Sequence, residues 1–265
     1  VDKLTKSRAD PVKIVCIIQA RMASSRLPGK VLLDLAGKTT LERVTERVKA
    51  IEQLDSIVVA TTTDPEDELI EREAKRLGVE VYRGHPSDVL DRYHSAAKFH
   101  NAHAIMRITA DCPLLDPQVA SKIIDTFLET ECDYCSNLRP PTYPDGLDVE
   151  LLTAQALETC WNDADLESDR EHVATYIRRT RSERFTIVNV ENEINLSDIR
   201  WTIDEPQDLE FLRMLLPKLE SNQGTITGFN KVLEVLRDNP EIASLNTSIT
   251  RDEGWQISLD SDRKT

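Results

Sequence analysis

Apolar residues gather in short runs near 13–20, 55–61, 79–83, 103–109, 132–136, 147–151, 185–190 and 198–203, each the length of one strand. Between these runs the period lengthens to that of a helix. Leu41, Val44 and Val48 share one face of 40–48, and the segment 65–78 begins with proline and acids and stops at Gly78. Ser168-Asp-Arg-Glu171 reads as a capping box ahead of a helix starting at His172. Glu205-Pro206 opens another helix, running through Leu216, and a shorter one is expected over 228–237. Strand and helix alternate over the first 130 residues, which predicts an α/β fold of three layers, a mostly parallel sheet covered on both faces.

From Cys132 onward the alternation weakens, and Leu138-Arg-Pro-Pro-Thr-Tyr-Pro144 has no period. This predicts a small irregular insertion beside the sheet. The expected organisation is a flexible polar lead-in over 1–12, one domain over 13–245 and a peripheral tail over 246–265. A chain of 265 residues builds a core without staples. No signal-like segment opens it, and no apolar run is long enough to cross a bilayer, so a soluble cytoplasmic protein is expected.

Charge changes the picture. The formal net charge is −14, which argues against broad nucleic-acid or anionic-membrane binding. Yet residues 11–33 hold Lys13, Arg21, Arg26 and Lys30 and no carboxylate. A cationic loop directly after an apolar strand suits an anion, the alternative being a solvated basic turn. It carries neither the Gly-x-Gly-x-x-Gly of dinucleotide folds nor the Gly-Lys-Ser/Thr end of a P-loop. Five cysteines without framework spacing argue against a disulfide scaffold, and Cys132-Asp-Tyr-Cys135 has no second pair to complete a zinc site. None of the histidines is expected to hold metal or to form a base pair or triad.

Ligands of open α/β sheets gather at the carboxyl ends of strands. Two aspartates stand there: Asp111 in Ile105-Met-Arg-Ile-Thr-Ala-Asp-Cys-Pro, and Asp204 in Trp201-Thr-Ile-Asp-Glu-Pro. Facing one cationic loop they would make a nucleotide–Mg²⁺ site, although Asp204 also suits a helix N-cap. Two further polar concentrations remain. In 81–93, Asp88 and Arg92 suit either a helix entry or contact with base, ribose or acceptor. In 143–150, Asp145-Gly146 signals a turn, while Asp148 and Glu150 alternate on one strand face and repel unless paired, solvated or engaged by a hydroxylated or amino-bearing acceptor.

Taken together, Gln-Ala-Arg-Met-Ala-Ser-Ser-Arg-Leu-Pro-Gly-Lys, Thr-Ala-Asp-Cys-Pro-Leu-Leu-Asp-Pro, Pro-Asp-Gly-Leu-Asp-Val-Glu, Arg-Glu-His-Val and Trp-Thr-Ile-Asp-Glu-Pro-Gln-Asp-Leu resemble the spore-coat polysaccharide biosynthesis protein F family. That family is similar to the acylneuraminate and ketodeoxyoctonate cytidylyltransferases. The resemblance spans residues 13 to about 245. It implies a nucleotide-diphosphosugar transferase-like (Rossmann-like) fold, CTP as donor, Mg²⁺ as cofactor, and transfer of CMP to a sugar acid or sugar-like acceptor with loss of pyrophosphate. It further implies Arg21 and Lys30 as catalytic triphosphate ligands, with Arg26 close by and Ser24 or Ser25 supplying hydroxyls; Ala20, Thr62 and Asp88 are expected beside them in the nucleotide site. Asp111 and Asp204 would bind the metal, and Arg92, Asp145, Asp148 and Glu150 would meet the acceptor. A homodimer is expected, with the segment after Cys132 and the helix at Ser168 as contact surfaces. The rival readings are a metal-dependent glycosyltransferase, for which Asp260-x-Asp262 is misplaced in the tail, and a non-catalytic nucleotide-binding subunit.

Overall fold

The structure, a computed structural model, describes residues 12–219, 226–251 and 253–262. The lead-in up to residue 11 and part of the linker after Leu216 lie outside them. In chain order the elements are β1 (Ile14–Gln19), β2 (Asp34–Leu35), β3 (Lys38–Thr39), α1 (Thr40–Lys49), β4 (Ser56–Thr62), α2 (Glu68–Arg76), β5 (Glu80–Gly84), α3 (Val89–Phe99) and β6 (Ala104–Thr109). There follow α4 (Pro117–Thr130), β7 (Tyr134–Ser136), β8 (Glu150–Thr153), α5 (Ala154–Asp163), α6 (Glu167–His172), β9 (Ile187–Asn189), α7 (Pro206–Leu219), α8 (Phe229–Asp238), α9 (Pro240–Ala243) and α10 (Glu253–Asp262).

Seven strands form one sheet in the order β5-β4-β1-β6-β8-β7-β9. All run parallel except β8, which pairs antiparallel with both β6 and β7. Strands after Cys132, expected as an insertion, therefore extend the sheet, and the single reversed strand is what breaks the alternation in sequence. The run 198–203 is no sheet strand. Its contact is a bridge from Arg200 to Asp145, after which the Ile203 amide donates to Asp111 O.

Successive residues of β1 point to opposite faces, and each face has its own apolar cluster. Ile14, Cys16 and Ile18 pack with Leu41, Val44, Ile70, Ile123 and Phe211, while Val15 and Ile17 pack with Leu90, Ala96, Leu157 and Cys160. Helices α1, α2, α4 and α7 thus cover one face, and α3 and α5 the other. All five cysteines are free and buried, and burial pushes the Cys135 thiol up to about 12, as suits packing residues.

From β1 the chain winds outward to β4 and β5, then returns to place β6 on the other side of β1. The order reverses between β1 and β6, so a crevice opens beyond Gln19 and Thr109.

Candidate active site

A cavity of about 540 Å³ lies at this reversal, lined by Gln19, Ala20 and Arg21 after β1 and by Thr109, Ala110 and Asp111 after β6. Such a volume suits a nucleotide-sized ligand. The loop after β1 forms one wall with Ser24, Ser25, Arg26 and Lys30. Its ends are fixed. The Met22 amide donates to Asp67 Oδ1 (2.7 Å), and the Gly29 amide reaches back to Met22 O (3.0 Å). Gly29 adopts φ 68°, the left-handed conformation that glycine takes without Cβ strain, and so turns the chain into the short 3₁₀ turn Lys30–Leu32.

Lys30 Nζ stands between two carboxylates, 2.6 Å from Asp111 Oδ2 and 2.8 Å from Asp204 Oδ1. Arg26 pairs with Asp204 and also with Glu205 (2.9 Å). Burial opposes ionisation of Asp111, but the charge and hydrogen bond of Lys30, with Thr109 Oγ1 at 2.5 Å, hold its carboxyl down at about 2. Arg21 lines the same cavity half-buried, with no carboxylate partner among the described residues. The helix-capping alternative for Asp204 falls away, because Asp208 does that work. Its Oδ2 accepts from the Asp204 and Glu205 amides (3.0 and 2.9 Å), leaving the Asp204 side chain to face the cavity.

Ala20, Arg21, Ser24, Ser25, Arg26, Lys30, Asp111 and Asp204 are therefore brought together, whereas the other expected site residues are not. Thr62 Oγ1 donates to Asp67 Oδ2 (2.5 Å), supporting the loop from behind. Asp88 caps α3 by accepting from the Asp91 amide (2.9 Å), and Arg170 takes its other oxygen at 2.7 Å. Arg92 is fully buried, its Nη1 donating to His85 O (2.7 Å). Asp145 pairs with Arg200 (3.0 Å), and Asp148 with Arg251 (2.5 Å). Glu150, 1% exposed, accepts from Tyr134 Oη (2.6 Å) and pairs with Arg107 and Arg178. Burial disfavours its charge, yet the two arginines hold its carboxyl at about 2. The expected acceptor quartet is thus consumed in ion pairs with arginines remote in sequence, or buried beneath a loop.

The second wall comes from residues given no site role above: Arg107 on β6, Glu167, Glu171 and His172 on α6, and Ile257, Ser258 and Ser261 on α10. The signals for Arg107 and His172 were present, in the strand ahead of Asp111 and in Arg-Glu-His-Val. The helix does not begin at His172. It ends there, since Val173 takes φ 57°, ψ −63° and the Ala174 amide donates to His172 O at 2.6 Å, a tight positive-φ γ-turn. Burial, with Arg107 and Arg178 nearby, lowers the His172 pKa to about 4 against the pull of Glu171 and Glu150.

The tail expected at the periphery supplies part of this wall. Helix α10 lies on α6, with Trp255 Nε1 donating to Thr175 Oγ1 (3.1 Å) and the Ser168 amide to Asp262 Oδ1 (3.2 Å). Ser168 and Asp169, expected on a contact surface, are fully buried within the chain. Asp260 and Asp262 sit on α10 and not at a strand end, which removes the geometric basis of a glycosyltransferase Asp-x-Asp. No helix among the described residues is long and apolar enough to cross a membrane.

The family model described as cytidylyltransferase matches residues 15–240. The chain is 36% identical over 241 residues to the uncharacterized protein MJ1063 of Methanocaldococcus jannaschii, covering 90% of this chain and 96% of that one. It is 30% identical over 237 residues to the spore coat polysaccharide biosynthesis protein SpsF of Bacillus subtilis, covering 87% and 97%. A solved structure of a cytidylyltransferase from Leptospira borgpetersenii superposes with a TM-score of 0.83 at 34% identity, over 88% of this chain and 97% of the other. With its cationic loop at the switch point of the sheet and a family-model match over residues 15–240, the chain belongs to the cytidylyltransferase family.

Proposed function

We propose that the chain transfers CMP from CTP to a sugar acid that enters surface-polysaccharide synthesis. The observation that carries this reading is the position of Lys30 between Asp111 and Asp204, beside an Arg21 that no carboxylate neutralises among the described residues. In an acidic chain, such a concentration of cations favours a polyanion.

The two aspartates fit a divalent cation, since both direct an oxygen at the point where the Lys30 ammonium now lies. Asp111 and Asp204 would hold Mg²⁺, which when bound supplies neutralisation of the triphosphate charge. Lys30 and Arg26 then turn from the aspartates toward phosphate oxygens, joining Arg21 and the Ser24 and Ser25 hydroxyls. An acceptor hydroxyl oxygen attacks the α-phosphorus, the bond to the bridging oxygen breaks, and pyrophosphate leaves against the cations while the acceptor proton passes to solvent. Catalysis is positioning and electrostatic neutralisation, without a covalent enzyme intermediate. Arg107 at the far wall suits the carboxylate of the acceptor, and His172 and Ser261 suit its hydroxyls.

The test is pyrophosphate release from CTP and Mg²⁺ against a panel of nonulosonic acids and sugar phosphates. Turnover with one acid, lost in both Lys30→Ala and Asp111→Ala, is the expected result. Turnover unaffected by both substitutions would show that the chemistry lies elsewhere.

A further inference from the structure

The structure assigns a working role to α10: Ser258 is the positioning residue that sets His172 as a hydrogen-bond acceptor toward the hydroxyl-bearing end of the acceptor substrate. This rests on the transfer reading above and extends it to a helix beyond residues 15–240, the stretch matched by the family model.

Ser258 Oγ lies 2.7 Å from Glu171 Oε2 and 2.9 Å from His172 Nε2. A hydroxyl has one proton to give, and a carboxylate can only accept it. Ser258 therefore donates to Glu171 and accepts from His172, which places the imidazole proton on Nε2. Nδ1 keeps its lone pair and has no protein partner among the described residues, on a side chain that lines the cavity. The backbone supports the arrangement. A β-branched residue at φ 57° follows His172, a strained conformation held by burial of Val173, and such strain is maintained where a neighbouring side chain must be aimed. The helix carrying Ser258 is itself docked, through Trp255 on Thr175, Asp262 on the Ser168 amide, the Arg139 guanidinium 4.3 Å above the Trp255 ring, and the buried Leu259.

The charged groups acting on the ring are Glu171 beside it and, further off, Arg107, Arg178 and Glu150, with Glu171 Oε2 3.6 Å from Nε2. Without the serine hydroxyl, Glu171 becomes the direct partner of Nε2 and favours the imidazolium. A neutral acceptor nitrogen would then be exchanged for a cation that repels Arg107 and offers a hydroxyl no lone pair.

The experiment uses the full chain with Ser258→Ala and Ser258→Thr, read in two ways. With the sugar acid found to turn over, Ser258→Ala should raise the acceptor KM about tenfold while the CTP KM stays within about twofold, and Ser258→Thr should restore the acceptor KM. Without any acceptor, histidine ¹⁵N spectra, with His172 identified by its loss in His172→Gln, should show the Nε2–H tautomer in the wild type. The titration midpoint should rise by about one pH unit or more in Ser258→Ala. An unchanged tautomer and midpoint in Ser258→Ala overturns the proposal, as does an unchanged acceptor KM. If the wild type transfers CMP to no acceptor, the transfer reading fails and the nitrogen spectra alone decide the role of Ser258.

Discussion

Lys30 Nζ and Asp111 Oδ2 lie 2.6 Å apart although 81 residues separate them, joining the loop after β1 to the end of β6 across the switch point of the sheet. The ammonium also holds Asp204, so one side chain keeps two carboxylates from repelling each other. Replacing Lys30 by Met leaves Asp111 without its counter-charge and Asp204 with Arg26 alone, and removes a donor to the triphosphate. Pyrophosphate release is expected to fall by at least about 100-fold. Steady-state kinetics with saturating CTP measure this, and near-wild-type turnover would remove Lys30 from the chemistry.

The Asp204 backbone is set by a buried network. Arg200 makes two hydrogen bonds to Asp208 (2.9 and 2.8 Å) and one to Asp145, and Asn246 Nδ2 donates to Asp208 Oδ1 at 2.9 Å. Arg200→Met leaves Asp208, fully buried, without its cation, and is expected to cost about 3–5 kcal/mol. Urea unfolding followed by circular dichroism reads the change, and a loss below about 1 kcal/mol would show that the network contributes little.

Gly146 adopts φ 101°, and a Cβ built there would lie 2.8 Å from Thr202 N. Both the conformation and the contact are against Gly146→Ala, so a loss of more than about 1 kcal/mol is expected. Because Thr202 leads into Asp204, affinity for CTP should fall with it. Calorimetric binding of CTP to the folded variant at 15 °C tests the coupling.

Acid should weaken the fold in two windows. The His172 pKa is lowered by burial from 6.5 to about 4, so the unfolded chain binds the proton first and stability falls as pH drops from about 6.5 toward 4. Glu150, held at about 2 against an ordinary 4.5, is fully stabilising above about pH 4.5, and its contribution is lost as pH falls through the folded value. Each shift corresponds to roughly 3 kcal/mol at most. Denaturant midpoints measured from pH 7 to 3.5 should decline, and His172→Gln should flatten the upper part. An identical slope in that variant would assign the upper window to another group.

The six parallel strands of the sheet were readable because each is an apolar run of strand length, or nearly so, stopped by a polar residue, proline or glycine. Asp111 and Asp204 were readable for the related reason that each ends a strand-like run and has a proline two residues on. Asp145, Asp148 and Glu150 were misplaced because their partners, Arg200, Arg251, Arg107 and Arg178, lie 28 or more residues away. Spacing carries no record of such pairings. The reversed strand β8 hid the extent of the sheet, since antiparallel entry does not follow a crossover helix. Helix α10 was missed because it docks through single polar contacts and one buried leucine, leaving no apolar stripe to read, with Ile257 instead 62% exposed.

The Met22–Gly29 hydrogen bond closes the cationic loop into a ring, and Asp67 fastens that ring to the start of α2. Arg26 and Lys30 are thereby confined near one another before any phosphate arrives. Folding, and not binding, bears the entropy of gathering them, so a nucleotide meets a surface with little left to order. A chain in which that ring was set loose from α2, by removing the Asp67 carboxylate, would keep every cation and still bind phosphate more weakly and more slowly.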